Sequence, residues 1–410
     1  MKNKILKGLS QVYQFMLDEL RIIFHDPGAI LVFFIALIIY PLLYSLAYDN
    51  ETVKENPVAF VDLDHSSFSR KLARMADATE QLKVSWYPGS LKEAQQLFFN
   101  GEIRGVILVP KGFEKNILRG TQATVTVYTD AGYFLLYKQV YAGSVYSLTA
   151  FNTGIKATRL LNDGITLNHL WEVPEPLKLN THTLYNPAGG YGSFVMTGII
   201  LVILQQTLLI GIGLLGGTTR ERNRYNHQKG PKEITGGSIS AVLGKSMAYL
   251  LIYLVNSVFA LMWVYQWFHF PDKSGFLSTL ILLVPYLLSV SFLGLAISVL
   301  FRERVHSLLF MVFLSPIVLF LSGLSWPASS LPPLLYSLAH LYPSTIMVPA
   351  YIRMRMMGVS VGAVSIELGW LLIQMSAYFV LACVSYHYAH KRFDRKIGNL
   401  AEIELPVDPT

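Results

Sequence analysis

Few residues of this 410-residue chain are grouped in a way that could do chemistry. Gly244-Lys245-Ser246 matches the end of a phosphate-binding loop, where glycine amides and a lysine cradle phosphate oxygens. That loop needs a further glycine five residues before the glycine of the Gly-Lys pair, and a strand ahead of it. Position 239 is Ile, and the segment opens an apolar, helix-length run. No other stretch offers the pattern, so no nucleotide site is expected. Asp62-Leu63-Asp64 offers two carboxylates, but Asp and Ser at a strand end are the residues that start a helix. Asp64, Ser66 or Ser67 is the expected cap. The ten histidines are scattered and none forms HExxH. No Gly-x-Ser-x-Gly elbow occurs; Gly190-Tyr191-Gly192-Ser193 is the nearest cluster, and it leads into an apolar block. The one cysteine, Cys383, lies in an apolar stretch and reads as a packing residue. Catalytic, cofactor-binding and metal-binding residues are therefore all expected to be absent, and the chain is read as not an enzyme.

The elements around these residues explain the poverty. Hydrophobic residues make up 52% of the chain and charged residues only 14%, against about 25% in soluble proteins. The net charge of +7 does not signal nucleic acid, because the basic residues flank apolar blocks as membrane topology requires. The fold class expected is a polytopic α-helical membrane protein with six transmembrane helices, two short re-entrant helices and an inserted extracytoplasmic α/β domain.

Residues 1–27 read as a cytoplasmic amphipathic interfacial helix, with Ile5, Leu9, Val12, Met16, Leu20 and Ile23 on one face. Residues 28–48 form the first span, with Asp26 as its cap and Pro27 in its first turn. A signal peptide ending at Ser45-Leu46-Ala47 is the weaker reading. The apolar core is too long, and Asp18, Glu19 and Asp26 precede it. Residues 49–190 alternate strand and helix patterns and end in a long helix, which predicts a mainly parallel sheet. Residues 191–390 hold spans two to six, a cytoplasmic loop over 217–240 and a proline-broken re-entrant segment over 326–360. Residues 391–410 are the cytoplasmic tail. Arginines and lysines in the short loops place both termini in the cytoplasm of a bacterial inner membrane, and the large domain in the periplasm.

Within the spans, Gln205, Gln206, Asn256 and Gln374 are the main polar residues. They serve either as hydrogen bonds between helices or as the lining of a substrate path. The near absence of intramembrane charge argues against an ion-driven carrier and puts the energy source elsewhere. Between spans two and three, the stretch with Arg220, Glu221, Arg222, Arg224 and Lys232 is either a solvated loop or a docking surface for a partner.

Nearly the whole chain resembles the membrane subunits of type-2 ABC exporters. Ser322-Gly323, Pro327, Pro332 and Pro343-Ser344-Thr345 are similar to that family's SG-x-x-x-P…P…P-x-T signature. Asp62-Leu63-Asp64-His65-Ser66-Ser67-Phe68-Ser69-Arg70 and Val109-Pro110-Lys111-Gly112-Phe113 resemble elements of its large outer domain. Arg220-Glu221-Arg222 matches the charged start of its coupling segment. Asn223-Arg224-Tyr225-Asn226-His227 departs from the Gly-Thr-x-Glu-x-Leu pattern that often follows. The resemblance implies a homodimer, or a pair of close paralogues, embedded in membrane lipid and carrying an amphipathic or hydrophobic substrate. It implies no cofactor bound by this chain: ATP and Mg are used by separate ABC ATPase subunits. A periplasmic adaptor is a further implied partner, and nucleic acid is not one. The rival reading is a membrane-anchored sensor or docking protein acting through its extracytoplasmic domain. A secondary carrier and an intramembrane enzyme are disfavoured by the missing charges and catalytic groups.

Overall fold

In the computed structural model the described residues are 2–49, 51–162, 185–186, 190–225, 237–301, 303–327 and 330–403. The chain divides into two compact units, residues 52–182 and the remainder.

Residues 52–182 build a four-stranded sheet in the order β2-β1-β3-β4. The strands are β1 (Asn56–Asp62), β2 (Leu82–Trp86), β3 (Gly105–Val109) and β4 (Thr126–Thr129). β1 pairs in parallel with β2 and β3, and β4 runs antiparallel to β3. β1 is apolar on both faces because both faces are covered. Val58 and Phe60 pack with Leu72, Ile107, Phe113 and Phe151, while Ala59 and Val61 pack with Ala94, Ile103 and Val106. The intervening helices are α3 (Ser67–Asp77), α4 (Leu91–Phe99), α5 (Phe113–Leu118) and α6 (Phe134–Asn162). Parallel neighbours need crossover connections, and α3 and α4 supply them.

The other unit is helical. It holds α1 (Lys2–His25), α2 (Pro27–Ala47), α7 (Tyr191–Tyr225), α8 (Gly237–Trp267), α9 (Phe276–Ser298), α10 (Arg304–Leu321), α11 (Pro333–Ala339), α12 (Pro343–Met357) and α13 (Ser365–Ile403). Six of these, α2, α7, α8, α9, α10 and α13, are long and apolar enough to cross a membrane. The expected spans are thus matched in number, and the protein is a multi-pass helical membrane protein. α7 is the central helix, and tyrosine hydroxyls bond along it. Tyr265 donates to Thr197 Oγ1 at 3.1 Å, Tyr286 to the Leu201 carbonyl at 2.7 Å, and Tyr253 meets Thr207 Oγ1 at 3.0 Å. Each phenol buries a large apolar ring while its hydroxyl keeps a partner. By contrast, α2, α10 and α13 leave apolar side chains such as Leu43, Phe313 and Ile373 exposed.

The segment expected as a loop over 217–240 is helical at both ends. α7 continues to Tyr225 and α8 begins at Gly237. Arg and Glu favour helix, and the Thr218 and Thr219 hydroxyls bond back to the Leu214 and Leu215 carbonyls, so the turn does not fray. The tail expected from residue 391 likewise begins as helix, since α13 reaches Ile403.

Candidate functional site

The residues singled out by sequence fall mainly into three groups. The first lies where α2 and α10 begin and α7 and α9 end. Asp26 is the N-cap of α2, its Oδ1 accepting from the Ala29 amide at 3.1 Å. Its carboxylate also receives a two-pronged pair from Arg304, at 2.7 and 2.9 Å. Arg304 Nη1 donates further to Thr218 Oγ1 at 3.1 Å. Two glycines make the approach possible. A Cβ on Gly28 would lie 2.2 Å from the Arg304 guanidinium, and one on Gly217 would lie 2.6 Å from the Arg304 Cα. Burial pushes the Asp26 carboxyl up, but the Arg304 hydrogen bond, the Ala29 amide and the Arg304 charge outweigh it and hold it below the usual carboxylate value. Beside this knot, Arg220 donates to the Val299 carbonyl and, at 3.0 Å, to the Phe301 carbonyl at the end of α9. Those carbonyls are among the orphan acceptors at a helix C-terminus. Arg220 is thereby half-buried against the bundle. Glu221 is also half-buried, Arg222 and Arg224 continue the same helix, and Lys232 lies outside the described residues.

The second group resolves the Gly244-Lys245-Ser246 sequence. Lys245 Nζ is 2.7 Å from Glu19 Oε2 on α1, and Tyr249 donates to Glu19 Oε1. A Cβ on Gly244 would meet Phe15 at 2.5 Å and the Val12 carbonyl at 2.6 Å. The glycine and lysine therefore dock α1 on α8; they do not cradle phosphate.

The third group is the proline-rich signature. Gly323 takes φ +81° just after the end of α10. Ser322 Oγ donates to the Leu319 carbonyl at 2.7 Å, and Thr345 Oγ1 donates to the Leu321 carbonyl at 3.2 Å. The end of α10 is thus tied to the start of α12. Pro327 lies in the connection. Pro332 precedes α11, and Pro343 opens α12 at a position where a missing amide proton costs nothing. Gln205 closes this group from α7: its Oε1 accepts from the Ser344 amide at 2.9 Å and its Nε2 donates to Ser344 Oγ at 3.0 Å.

The other polar residues of the spans divide. Asn256 Nδ2 donates to the Phe33 carbonyl in the wide turn Leu31–Ile35 at 2.9 Å, and Gln374 Nε2 donates to the His340 carbonyl at 2.5 Å. Gln205, Asn256 and Gln374 thus act as hydrogen bonds between segments. Gln206 is 6% exposed, and neither its amide nitrogen nor its oxygen has a partner among the described residues.

A fourth group was not anticipated. Arg355 on α12 is 2% exposed, 2.8 Å from Asp272 and 3.9 Å above the Tyr265 ring. It also donates to Tyr351 Oη and the Leu261 carbonyl. The signal was an arginine two residues from another in an otherwise apolar segment.

In residues 52–182, the motifs at Asp62–Arg70 and Val109–Phe113 prove to be one structure. Asp64 Oδ1 accepts from the Gly112 and Phe113 amides at 2.7 and 3.1 Å, and Oδ2 from the Glu114 amide at 3.0 Å. It caps α5, whereas Ser66 caps α3 through a capping box with Ser69. Asp62 accepts from the amides of Asp64 and His65 and from the Ser69 hydroxyl, so neither carboxylate is free for acid–base work. Ser193, likewise, is not a nucleophile: its amide and hydroxyl both donate to Glu51, which caps α7.

A family model described as ABC-2 family transporter protein matches residues 28–384. The chain belongs to the ABC-2 transporter family. It is an ABC permease subunit, a membrane transport component whose family pairs with an ABC ATPase subunit. No curated protein matches the chain. The matched span takes in all of these groups except Asp26 and the α1 residues Glu19, Phe15 and Val12, so the docking of α1 on this ABC-2 permease is a feature beyond the family match.

Proposed function

We propose that this permease is the pathway subunit of an exporter. Two copies, or one copy and a close paralogue, form the passage for an amphipathic or hydrophobic substrate in a bacterial inner membrane. Both termini are cytoplasmic and residues 52–182 face the periplasm, where an adaptor protein would meet them. Separate ATPase subunits bind below, around Arg220 to Lys232, and use the ATP and Mg. α11 and α12 are re-entrant: 7 and 15 residues at about 1.5 Å each are too short to cross about 30 Å of hydrocarbon.

The observation that carries this reading is the Asp26–Arg304–Thr218 knot beside Arg220. It joins α2, α7 and α10 at the end where the positive charges of the short connections gather. A push on the end of α7 is therefore passed directly to two further spanning helices. The exposed apolar faces of α2 and α10 support burial against lipid or a second copy.

The test is co-expression with a partner ABC ATPase subunit. Substrate-dependent ATP turnover is expected from the assembled complex, and Glu221→Ala with Arg222→Ala should abolish it while assembly persists. ATP hydrolysis by the purified permease alone, or uphill flux driven by an ion gradient, would overturn the reading.

A further inference from the structure

Between α8 and the start of α9 lies a pocket of about 40 Å³, well above the ~10–15 Å³ that one water needs. Its walls are mainly apolar, from Leu254, Val258 and Leu280, and one end carries Asp272 and Arg355. Ser257 also lines it. Two donors there lack partners among the described residues: Arg355 Nε and Ser257 Oγ, each on a residue only 2% exposed. Buried donors are otherwise almost always satisfied, so this pair asks for an acceptor.

The charge of the acceptor follows from the surroundings. Asp272 already neutralises Arg355 at 2.8 Å, and the Tyr265 ring covers its guanidinium. A second anion would face the Asp272 carboxylate; an uncharged oxygen would not. The shape adds the rest. Ser257 and Leu254 lie about one and two turns deeper along α8 than the Leu261 carbonyl that Arg355 also holds. The polar end therefore sits toward the end of the span and the apolar wall runs inward, in the order in which a glycerolipid presents ester and chain.

We infer that this pocket seats a glycerolipid of the surrounding bilayer, with one ester carbonyl accepting from Arg355 Nε and Ser257 Oγ and the first methylenes of the acyl chain against Leu254, Val258 and Leu280. The inference does not depend on the direction of transport or on the cargo.

The test uses the full chain in nanodiscs of phosphatidylcholine doped with a phosphatidylcholine bearing a diazirine next to the ester. Photocrosslinks are mapped by peptide mass spectrometry. Yield at residues 254–262 and 276–283 is expected about tenfold above that on the exposed face of α13 around Ile373, the ratio of a 1.4 kcal/mol preference. Ser257→Leu, which fills the pocket, should bring the yield down to the α13 level. Ser257→Ala, which removes the hydroxyl without adding bulk, should lower it roughly fivefold, the size of one net hydrogen bond. Should the leucine variant fail to assemble, the alanine variant decides alone. Equal yields at the pocket and on α13 in the unaltered chain would mean ordinary surface lipid or a water-filled pocket, and would overturn the inference. So would a high yield that Ser257→Ala leaves unchanged.

Discussion

Lys245 and Glu19 meet at 2.7 Å across 226 positions of sequence, and Glu19 is only 2% exposed. An ion pair this deep is expensive to break from one side, because the survivor is left charged and unpaired. Lys245→Met should lower stability by about 3 kcal/mol. Adding Glu19→Leu should restore much of the loss, since apolar replacement of both partners is often neutral. Thermal unfolding in detergent for the two single variants and the double variant reads the coupling. Additive losses would show that the pair does not hold α1 to α8.

Asp64 gives a second prediction, on α5. Burial pushes its carboxyl up, but the Ser66 hydroxyl and the amides of Glu114, Gly112 and Phe113 outweigh burial and hold it below its usual value. The group therefore stabilises the fold at pH above about 3.9, its unfolded value, and the contribution disappears as pH falls through the lower folded value. Asp64→Ala should cost about 0.5–2 kcal/mol, as lost N-caps do. Hydrogen exchange of the amides of residues 112–118 in the whole chain should speed up in the variant at pH 7. The variant should also lose the acid-limb pH dependence of that exchange. Faster exchange spread evenly over the sheet would argue against a local cap.

How much of this was legible in the sequence depends on the range of each interaction. Spans, caps and the alternation of β1 to α6 are local or periodic, so their types and order were readable. The sequence named Asp26 as a helix start, and Ser66 as one of three candidates for another, because caps act within a few residues. It could not pair Asp26 with Arg304, Glu19 with Lys245 or Asp64 with the Gly112 amide, since nothing local encodes a contact hundreds, or even tens, of residues away. The spans also seemed almost free of charge because their ionic partners, Glu19 and Asp272, lie outside the apolar blocks. The extent of helix past residue 217 was missed for a related reason: the dense charge was read as a solvated loop or a short separate docking helix, although Arg and Glu are good helix formers that prolong α7 itself.

The Asp26–Arg304 pair separates capping from coupling. Asp26→Asn keeps an oxygen for the Ala29 amide but loses the charge that faces the guanidinium. It should cost about 1.5–3 kcal/mol, the range for a charge-assisted bond, and Asp26→Ala should cost more by the value of the cap. Both are read as shifts in thermal unfolding. If the two variants proved equal, the cap would contribute nothing beyond the ion pair.

Gln206 tests the difference between a structural amide and a pathway residue. Gln205, its neighbour, spends both amide atoms on Ser344, and Gln205→Leu should destabilise by about 1–3 kcal/mol by stranding the Ser344 amide. Gln206 has no such partner to strand among the described residues. If its only role were packing, Gln206→Leu would remove the cost of a buried unpaired amide, raising Tm and leaving turnover intact. If it lines the passage proposed above, the same substitution raises Tm but lowers substrate-stimulated ATP turnover in the assembled complex, because the amide serves the cargo or its water. We expect the second outcome. A polar group kept buried at a stability cost, next to a neighbour fully used in structure, is what selection for function at that position would leave. A fall in Tm would refute both roles and show that the amide has a partner in the assembled protein.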